Sequence, residues 1–508
     1  MDSSATDQEK KWTLIATILA SGIVFLSSTS IKVALPAIGR SLDATLSDLQ
    51  WVIDGYLITL ASLLILGGAL GDRFGRRRMC LIGLAGFGTA SFACGLVNSA
   101  PLLIGFRAVQ GIAGALMVPE SLALIRVIFT NAEKRGQAIG AWSGWSGIST
   151  VIGPLLGGFL TDQLSWRWTF FIVAPLAALT FYLMLRFVPE SKGQDLSAHP
   201  DWLGAAIITF GLGGLTFGLI EGPVLGWSAP AVLIALTGGT LALVVFPFIE
   251  TRLEKPLLPL SLFKIRNFRG ANLTTLGVYS ALEGSVFLTM LYVQNVMGYT
   301  ALQAGMILAP ISVLLLLLSS FFGRQSNRHG PRLFMTFGPI LSGAGLVLLS
   351  RLNPTSNIWT ELLPAILVFG LGLATTVAPL TDTVMSAAPG KHSSLAAAFN
   401  NMVSRVAALL AVAAFGAILS LGFTNLVNQR LATLDLPQEV AQSLRAIADD
   451  PSAGIDEAQN PDQAVLIFNE AFTTGFRQAM QVGAGLAALG GVIAFITIHN
   501  PEKDRRKQ

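Results

Sequence analysis

Cysteine is nearly missing from this chain: Cys80 and Cys94 are the only two in 508 residues. Both fall in one apolar segment, about 21 Å apart along a helix that rises 1.5 Å per residue, too far to bridge. A disulfide framework is therefore excluded. Histidine is almost as scarce, and the four present, His199, His329, His392 and His499, lie on polar loops or segment ends without metal-ligand spacing, so no metal site is expected. No Ser/His/Asp, Cys/His or paired-carboxylate constellation is present, which argues against an enzyme. Charge is sparse as well: 12% of residues are charged and 52% hydrophobic, a balance outside the range of soluble domains. The formal net charge of +4 fits topology and attraction to anionic lipid better than nucleic acid, which is not expected as a partner.

What the chain has in abundance is long apolar runs. In hydrocarbon every backbone amide must be satisfied within the segment, so uninterrupted apolar runs of about 20 residues cross only as helices. Such runs lie at 12–35, 48–70, 79–98, 101–125, 137–160 and 168–188, then at 202–221 and 229–249, then at 270–296, 302–322, 333–351, 361–386, 394–421 and 474–499. The expected fold is an all-α integral membrane protein of fourteen spanning helices, two six-helix bundles with two helices inserted between them.

Orientation follows the cationic loops. With the N-terminus inside, cytoplasmic segments hold Lys10, Lys11, Arg73, Arg76, Arg77, Arg78, Arg126, Lys134, Arg135, Arg186, Lys192, Arg252, Lys255, Lys264, Arg266, Arg269, Arg324, Arg328, Arg332, Lys391 and the run Lys503 to Lys507. The outside holds only Arg40, Arg167, Arg351, Arg430 and Arg445. Both termini are expected in the cytoplasm. The first run follows Lys10 and Lys11 as a signal peptide would, but it is too long and leads directly into further spans, so it reads as the first helix.

The expected organisation is a cytoplasmic N-terminus at 1–11, a first bundle at 12–190, a polar linker at 189–201, an inserted hairpin at 202–250 bridging the halves, a second bundle at 267–499 and a basic tail at 500–508. Within the second bundle, 422–473 reads as an acidic outward loop, a lid or a cap. Its stretches from Pro437 and from Pro461 have the spacing of short amphipathic helices.

The most informative stretch is Gly68-Ala-Leu-Gly-Asp72-Arg73-Phe-Gly75-Arg76-Arg77-Arg78, a glycine turn crowded with charge at a membrane boundary. A weaker copy, Ser326-Asn327-Arg328-His329-Gly330-Pro331-Arg332, keeps the Arg-x-Gly-x-Arg spacing about 255 residues later, which marks the halves as repeats. Asp72, Arg73, Gly75 and Arg76 are expected to form a conformational latch in which Asp72 sits against a helix end of the opposite bundle. Arg76, Arg77 and Arg78 read equally as positive-inside anchors. Gly153-Pro154-x-x-Gly157-Gly158 removes a backbone donor and side-chain bulk at one place, which permits a kink and close helix approach.

Ionisable residues inside the spans are the sharpest candidates, because a charge in hydrocarbon costs several kcal/mol and is usually paired or faces a water-filled cavity. Lys32, Asp54 and Arg107 share one depth near the outer side, and Asp54 is expected to pair with Lys32 or Arg107, for function or as a structural bridge. Glu283, halfway along its span, is the leading proton-coupling candidate, with Arg405 at a similar depth. Glu120 and Asp382 are further candidates nearer the cytoplasmic ends, where helix-end solvation is the competing reading. Phe25, Trp51, Trp142, Trp145, Phe287, Tyr292 and Phe399 either line an apolar cavity or simply pack.

These motifs together resemble the major facilitator superfamily, and within it the fourteen-helix drug:proton antiporters of the EmrB/QacA type. The Gly68 to Arg78 turn is similar to its signature loop between helices 2 and 3. Arg107-Ala-Val-Gln110-Gly111-Ile-Ala-Gly114 resembles its helix-4 motif, Gly147 to Gly158 its helix-5 antiporter motif, and Trp166-Arg167-Trp168-x-Phe-Phe-Ile-x-x-Pro175 its entry into helix 6. The chain departs from the family in the first helix, where the acid of the usual pattern is replaced by Ser27 and its asparagine by Lys32. In the helix-5 motif the leading glycine is Ser149.

The resemblance implies proton-driven efflux of amphiphilic or hydrophobic small molecules from the cell membrane by a monomer that uses the proton-motive force and no cofactor. It also implies that the helix-5 segment sets the seal between inward and outward states. Loss of the first-helix acid weakens the case for lipophilic cations and leaves open export of a specific endogenous lipid or metabolite. A membrane enzyme or passive channel is the third class.

Overall fold

Helices are what the membrane interior demands, and the described residues of this computed structural model, 7–193, 201–250, 260–388, 393–447 and 461–500, are almost wholly helical. In chain order they are α1 (Asp7–Leu42), α2 (Leu46–Phe74), α3 (Arg76–Leu96), α4 (Ala100–Ile128), α5 (Ala132–Gln163), the short α6 (Trp168–Phe171), α7 (Val173–Phe187), α8 (Trp202–Leu225), α9 (Pro230–Glu250), α10 (Arg266–Asn295), α11 (Ala301–His329), α12 (Pro331–Leu349), α13 (Leu363–Ala387), α14 (Ser393–Thr433), α15 (Gln438–Ile447) and α16 (Asp462–Thr497). Among the described residues thirteen stretches are long and apolar enough to cross a membrane, α6 and α7 together making one. The span expected at 137–160 corresponds to α5, a helix of 32 residues. The linker beyond Gly193, His199, Arg252, Lys255, Lys391, His392 and the tail 501–508 lie outside the described residues.

Several helices outrun their expected spans, because hydropathy reports hydrocarbon thickness whereas the backbone keeps its hydrogen bonds into the headgroup zone. α1 and α16 each have 36 residues, about 54 Å against a core of about 30 Å. The segment expected as a loop over 422–473 is a correction of this kind. α14 runs on to Thr433, α15 occupies Gln438–Ile447, and α16 already begins at Asp462, so the helix expected separately after Pro461 is its first turns. Apolar spacing drives the extension: Phe468, Phe472 and Phe476 recur every four residues and are fully buried, with Phe468 against Phe423 and Phe476 stacked on Tyr292 at 4.3 Å.

The helix starts are written locally. Thr45 and Asp48 form a capping box on α2, Asn131 accepts from the amides of Glu133 and Lys134 at the head of α5, and Asp201 accepts from Gly204 at the head of α8. Cys80 and Cys94 are buried free thiols on α3.

The chain divides into two units, residues 1–257 with 299–306, and residues 258–298 with 307–508. In the first unit α1 packs on α4, α5 and α7, and α3 on α4 and α7. In the second the equivalent pairings recur: α10 on α13, α14 and α16, and α12 on α13 and α16. The α8–α9 hairpin, expected to bridge the halves, divides with the first unit and packs on α2. Its helices meet backbone to backbone, a Cβ on Gly214 standing 2.7 Å from Ala235 O. Glu221 Oε1 accepts from Ser47 Oγ and Trp51 Nε1, both at 2.8 Å, which fixes the hairpin to the outer end of α2.

Because Phe472 is enclosed by Phe468 and Tyr292, Phe472→Ala is expected to destabilise the protein by about 3 kcal/mol. Thermal unfolding in detergent checks this; a loop residue at that position would give a change near zero.

Candidate functional site

Four groups of side chains emerge when the polar residues are placed on this scaffold. The first lies in the interior of the first unit. Arg107, on α4, is 1% exposed and spreads its guanidinium 4.2 Å over the Tyr56 ring. Its Nε donates to Val52 O at 3.0 Å, and Nη1 donates to Gln110 Oε1 at 2.9 Å and Ser27 Oγ at 3.4 Å. Asp54 on α2 is fully buried and neither of its oxygens accepts a hydrogen bond. Of the two cations expected to pair with it, Lys32 is the one whose charge acts on Asp54, while Arg107 is bonded elsewhere. Of the two partners expected for Asp54, Lys32 is thus the one favoured: the Arg107 guanidinium points to the carbonyl of Val52, two residues before Asp54.

The second group is the cytoplasmic turn. Gly75 takes φ +115°, which ends α2 and lets α3 start at Arg76, a conformation that disfavours any side chain. Asp72 Oδ1 accepts from Arg76 Nε at 2.9 Å and Nη2 at 2.7 Å. The open N-terminus of α3 is held by Glu190, whose carboxylate accepts from Arg77 N at 3.0 Å and Arg78 N at 3.1 Å, while Ser191 O accepts from Arg76 N at 2.8 Å. Glu190, at the start of the polar linker, thus places its charge on the helix end of α3 within this unit. The second half repeats the device in neutral form: Gly330 has φ +92°, and Asn500 Oδ1 accepts from Arg332 N at 3.1 Å.

Behind this turn Glu120, on α4, is 1% exposed and its oxygens accept no hydrogen bond. Solvation at a helix end, the competing reading for Glu120, is corrected: its carboxyl packs on the backbone of Gly71, beside Asp72, Arg76 and Glu190. Asp382, by contrast, is exposed, at a 270 Å³ cytoplasmic hollow with Asn267, Ser326, Asn327 and His499.

In the third group the glycines of α5 sort into two faces. A Cβ on Gly157 would stand 2.6 Å from Ser30 O of α1, and Gly153 packs on Thr29 and Ser30 of the same helix. Gly158 faces the other way, a Cβ there standing 2.6 Å from Leu302 Cα, and Gly305 meets Pro154 O in the same manner at 2.7 Å. At the end of this seam Asp162 Oδ1 accepts from Ala301 N at 3.1 Å and Oδ2 from Leu302 N at 2.8 Å, holding the first turn of α11, which belongs to the first unit. Neither Asp162 nor Glu190 was singled out in the sequence, although each is an acid at the end of a span.

The fourth group lies in the second unit. Asn272, Thr275, Tyr279 and Glu283 recur at the spacing of one face of α10. Asn400 of α14 donates to Thr275 Oγ1 at 2.6 Å and Asn272 Oδ1 at 3.1 Å, Ser404 bonds the Tyr279 hydroxyl, and Glu283 and Arg405 both act on that tyrosine. Glu283 and Arg405, half-buried, thus share one polar stripe between α10 and α14. Of the aromatic residues considered for a cavity, Trp142 donates to Ser21 Oγ, Trp51 to Glu221, Tyr292 stacks on Phe476 and Phe399 packs on Phe263 and Phe268.

Two repeated bundles, a glycine-hinged charged turn at the foot of each, and ionisable side chains in the middle of spanning helices define a polytopic membrane protein of the secondary-transporter class. The chain belongs to the Major Facilitator Superfamily, whose family model matches residues 17–412. It is 32% identical over 501 residues to the tetracenomycin C resistance and export protein of Streptomyces glaucescens, covering 97% of this chain and 92% of that protein. It is 32% identical over 411 residues to the methylenomycin A resistance protein of Bacillus subtilis, covering 80% and 87%. In fold it is similar to a bacterial homolog of the human lysosomal transporter Spinster in an inward-facing, unoccupied conformation, with TM-score 0.72, 16% identity, and 97% and 98% of the two chains covered.

Asp162→Asn keeps the shape of the α11 contact but removes its charge, and is expected to weaken it by about 1 kcal/mol. A cysteine placed at Leu302 should then react severalfold faster with an impermeant maleimide added from outside, whereas an unchanged rate would mean that the glycine seam alone holds the turn.

Proposed function

We propose that this protein exports amphiphilic or hydrophobic small molecules across the cell membrane in exchange for protons, by alternating access of its two related bundles. Efflux is supported by the likeness to proteins named for antibiotic resistance and export. Proton coupling is carried by one observation: carboxylates stand inside spanning helices where no donor reaches them, Asp54 and Glu120 above all. A buried acid of that kind is completed by a proton, and its proton can be exchanged only when the conformation opens it to one side. Glu283, beside Arg405 and Tyr279, is the corresponding group of the second unit, and it keeps its place as the leading coupling residue. Asp382, being exposed, is the weakest of the four.

In this reading Asp72, Arg73, Gly75 and Arg76, braced by Glu190, act as the cytoplasmic latch, and Gly153, Pro154, Gly157 and Gly158 form the seam that opens when the latch closes. One pH unit supplies about 1.4 kcal/mol per proton, roughly tenfold accumulation for one-to-one exchange. A second reading, export of a specific endogenous lipid or metabolite, is favoured by the two cations Lys32 and Arg107 in the interior of the first unit.

The test uses everted vesicles with an acid interior and a panel of lipophilic cations, neutral drugs and anionic lipids. Compound-triggered proton release is expected from the wild type and is expected to vanish in Glu283→Gln; retention there with loss in Asp54→Asn moves the coupling site to the first unit. No release with any compound would overturn antiport. Separately, Asp72→Asn is expected to abolish transport at unchanged expression, an effect that a membrane enzyme or passive channel would not show.

A further inference from the structure

Among the described residues five charged side chains are buried within the spanning helices of the first unit, Lys32, Asp54, Arg107, Glu120 and, at the last position of α9, Glu250, and their surroundings differ. Glu120 belongs to the cytoplasmic turn, and Lys32 and Asp54 act on each other. Arg107 has no such counterpart. Its acceptors are a backbone carbonyl, an amide oxygen and a hydroxyl, it lies over a neutral phenol ring, and the ionisable groups beside it are Tyr56 and Cys94. Neutral acceptors satisfy the donors of a guanidinium but leave its charge uncancelled, and a desolvated charge without a counter-ion is expensive.

The fork is also held for recognition. Tyr56 fixes its plane from one side, and Tyr56 is itself tied to α1 through its hydroxyl, which donates to Val24 O at 3.4 Å. Val52 O and Gln110 Oε1 take the Nε and Nη1 donors, whereas Nη2 donates to none of the described residues. Ser27, at 3.4 Å the longest of the three contacts, is the one neutral group that an incoming anion can most cheaply displace.

We infer that Arg107 receives the anionic end of the transported molecule, and that the substrate class is a carboxylate-bearing amphiphile whose apolar body lies along the spanning helices. This rests on the efflux reading above and names its substrate chemistry. In the present conformation Arg107 and Ser27 are closed off, at 1% and 2% exposure, so the pair is engaged in the state in which the interior of the unit opens. Placing an acid at Ser27 supplies the missing counter-charge from the protein and removes the reason to bind one from outside.

The test is binding to the purified full-length protein in detergent, read by tryptophan fluorescence quenching, with two probes that share an anthracene ring and differ in ending in a carboxylate or an alcohol. The carboxylate is expected to bind about tenfold more tightly than the alcohol to wild type and to Ser27→Ala. In Ser27→Asp the carboxylate should lose its advantage, so that the two probes bind alike. Arg107→Lys, which keeps the charge but loses the planar fork, should lie between. Equal binding of the two probes to wild type overturns the inference, as does an undiminished preference in Ser27→Asp that melts like wild type. Binding in detergent needs no gradient, so failure of the efflux reading would show instead as a wild type that moves neither probe across everted vesicles.

Discussion

A helix that begins at a membrane surface exposes four backbone amides with no partner inside it, and a structure made of spanning helices must complete those amides from elsewhere. The cheapest solutions are local, and this chain uses them where sequence neighbours suffice: Asp48 on α2, Asn131 on α5, Asp201 on α8. At the tight glycine turns before α3 and α12 an acid or amide arrives from a distant part of the chain, and at α11 a distant acid adds to the local box of Thr300 and Gln303. Glu190 completes α3, Asp162 completes α11 and Asn500 completes α12. The glycine turns at Gly75 and Gly330 are the other half of the same arrangement, since a side chain there would collide with the group that supplies the cap.

Once helix ends are satisfied in this way, the interior is governed by how closely backbones approach, because lipid offers no hydrophobic drive toward association. The α5 segment shows the consequence: Gly153 and Gly157 admit α1, and Gly158 admits the first turn of α11, so one short motif serves two neighbours from opposite sides. Polar side chains then find places only along the remaining faces. In the second unit they gather into a continuous stripe from Asn272 to Glu283, joined to Asn400 and Ser404. In the first they form small separate groups, with Asp54 lacking hydrogen-bond donors and Arg107 bonded only to neutral acceptors.

Spans, repeats and the charged turn were legible in the sequence because each depends on local composition or spacing. Helix lengths were not: Phe468 and Phe472 extend α16 beyond the hydrocarbon for packing reasons that hydropathy does not register. Nor were the distant caps. Glu190 and Asp162 are ordinary acids at the ends of apolar runs, and their roles depend on amides 113 and 140 residues away. For Glu120 the sequence left burial and helix-end solvation open, and only the contact with Gly71 decides between them. The polar stripe on α10 was legible in principle, Asn272, Thr275, Tyr279 and Glu283 being the polar members of one helical face.

The distance between a turn and its cap also bears on how the protein is made. The amides of Arg77 and Arg78 wait for Glu190, which the ribosome adds more than a hundred residues later, and the amide of Arg332 waits for Asn500, 168 residues on. Each half therefore finishes its cytoplasmic surface only when its last helix has been delivered to the membrane. A nascent chain released just before Asn500 would carry every spanning helix and still lack the final stitch of its second half.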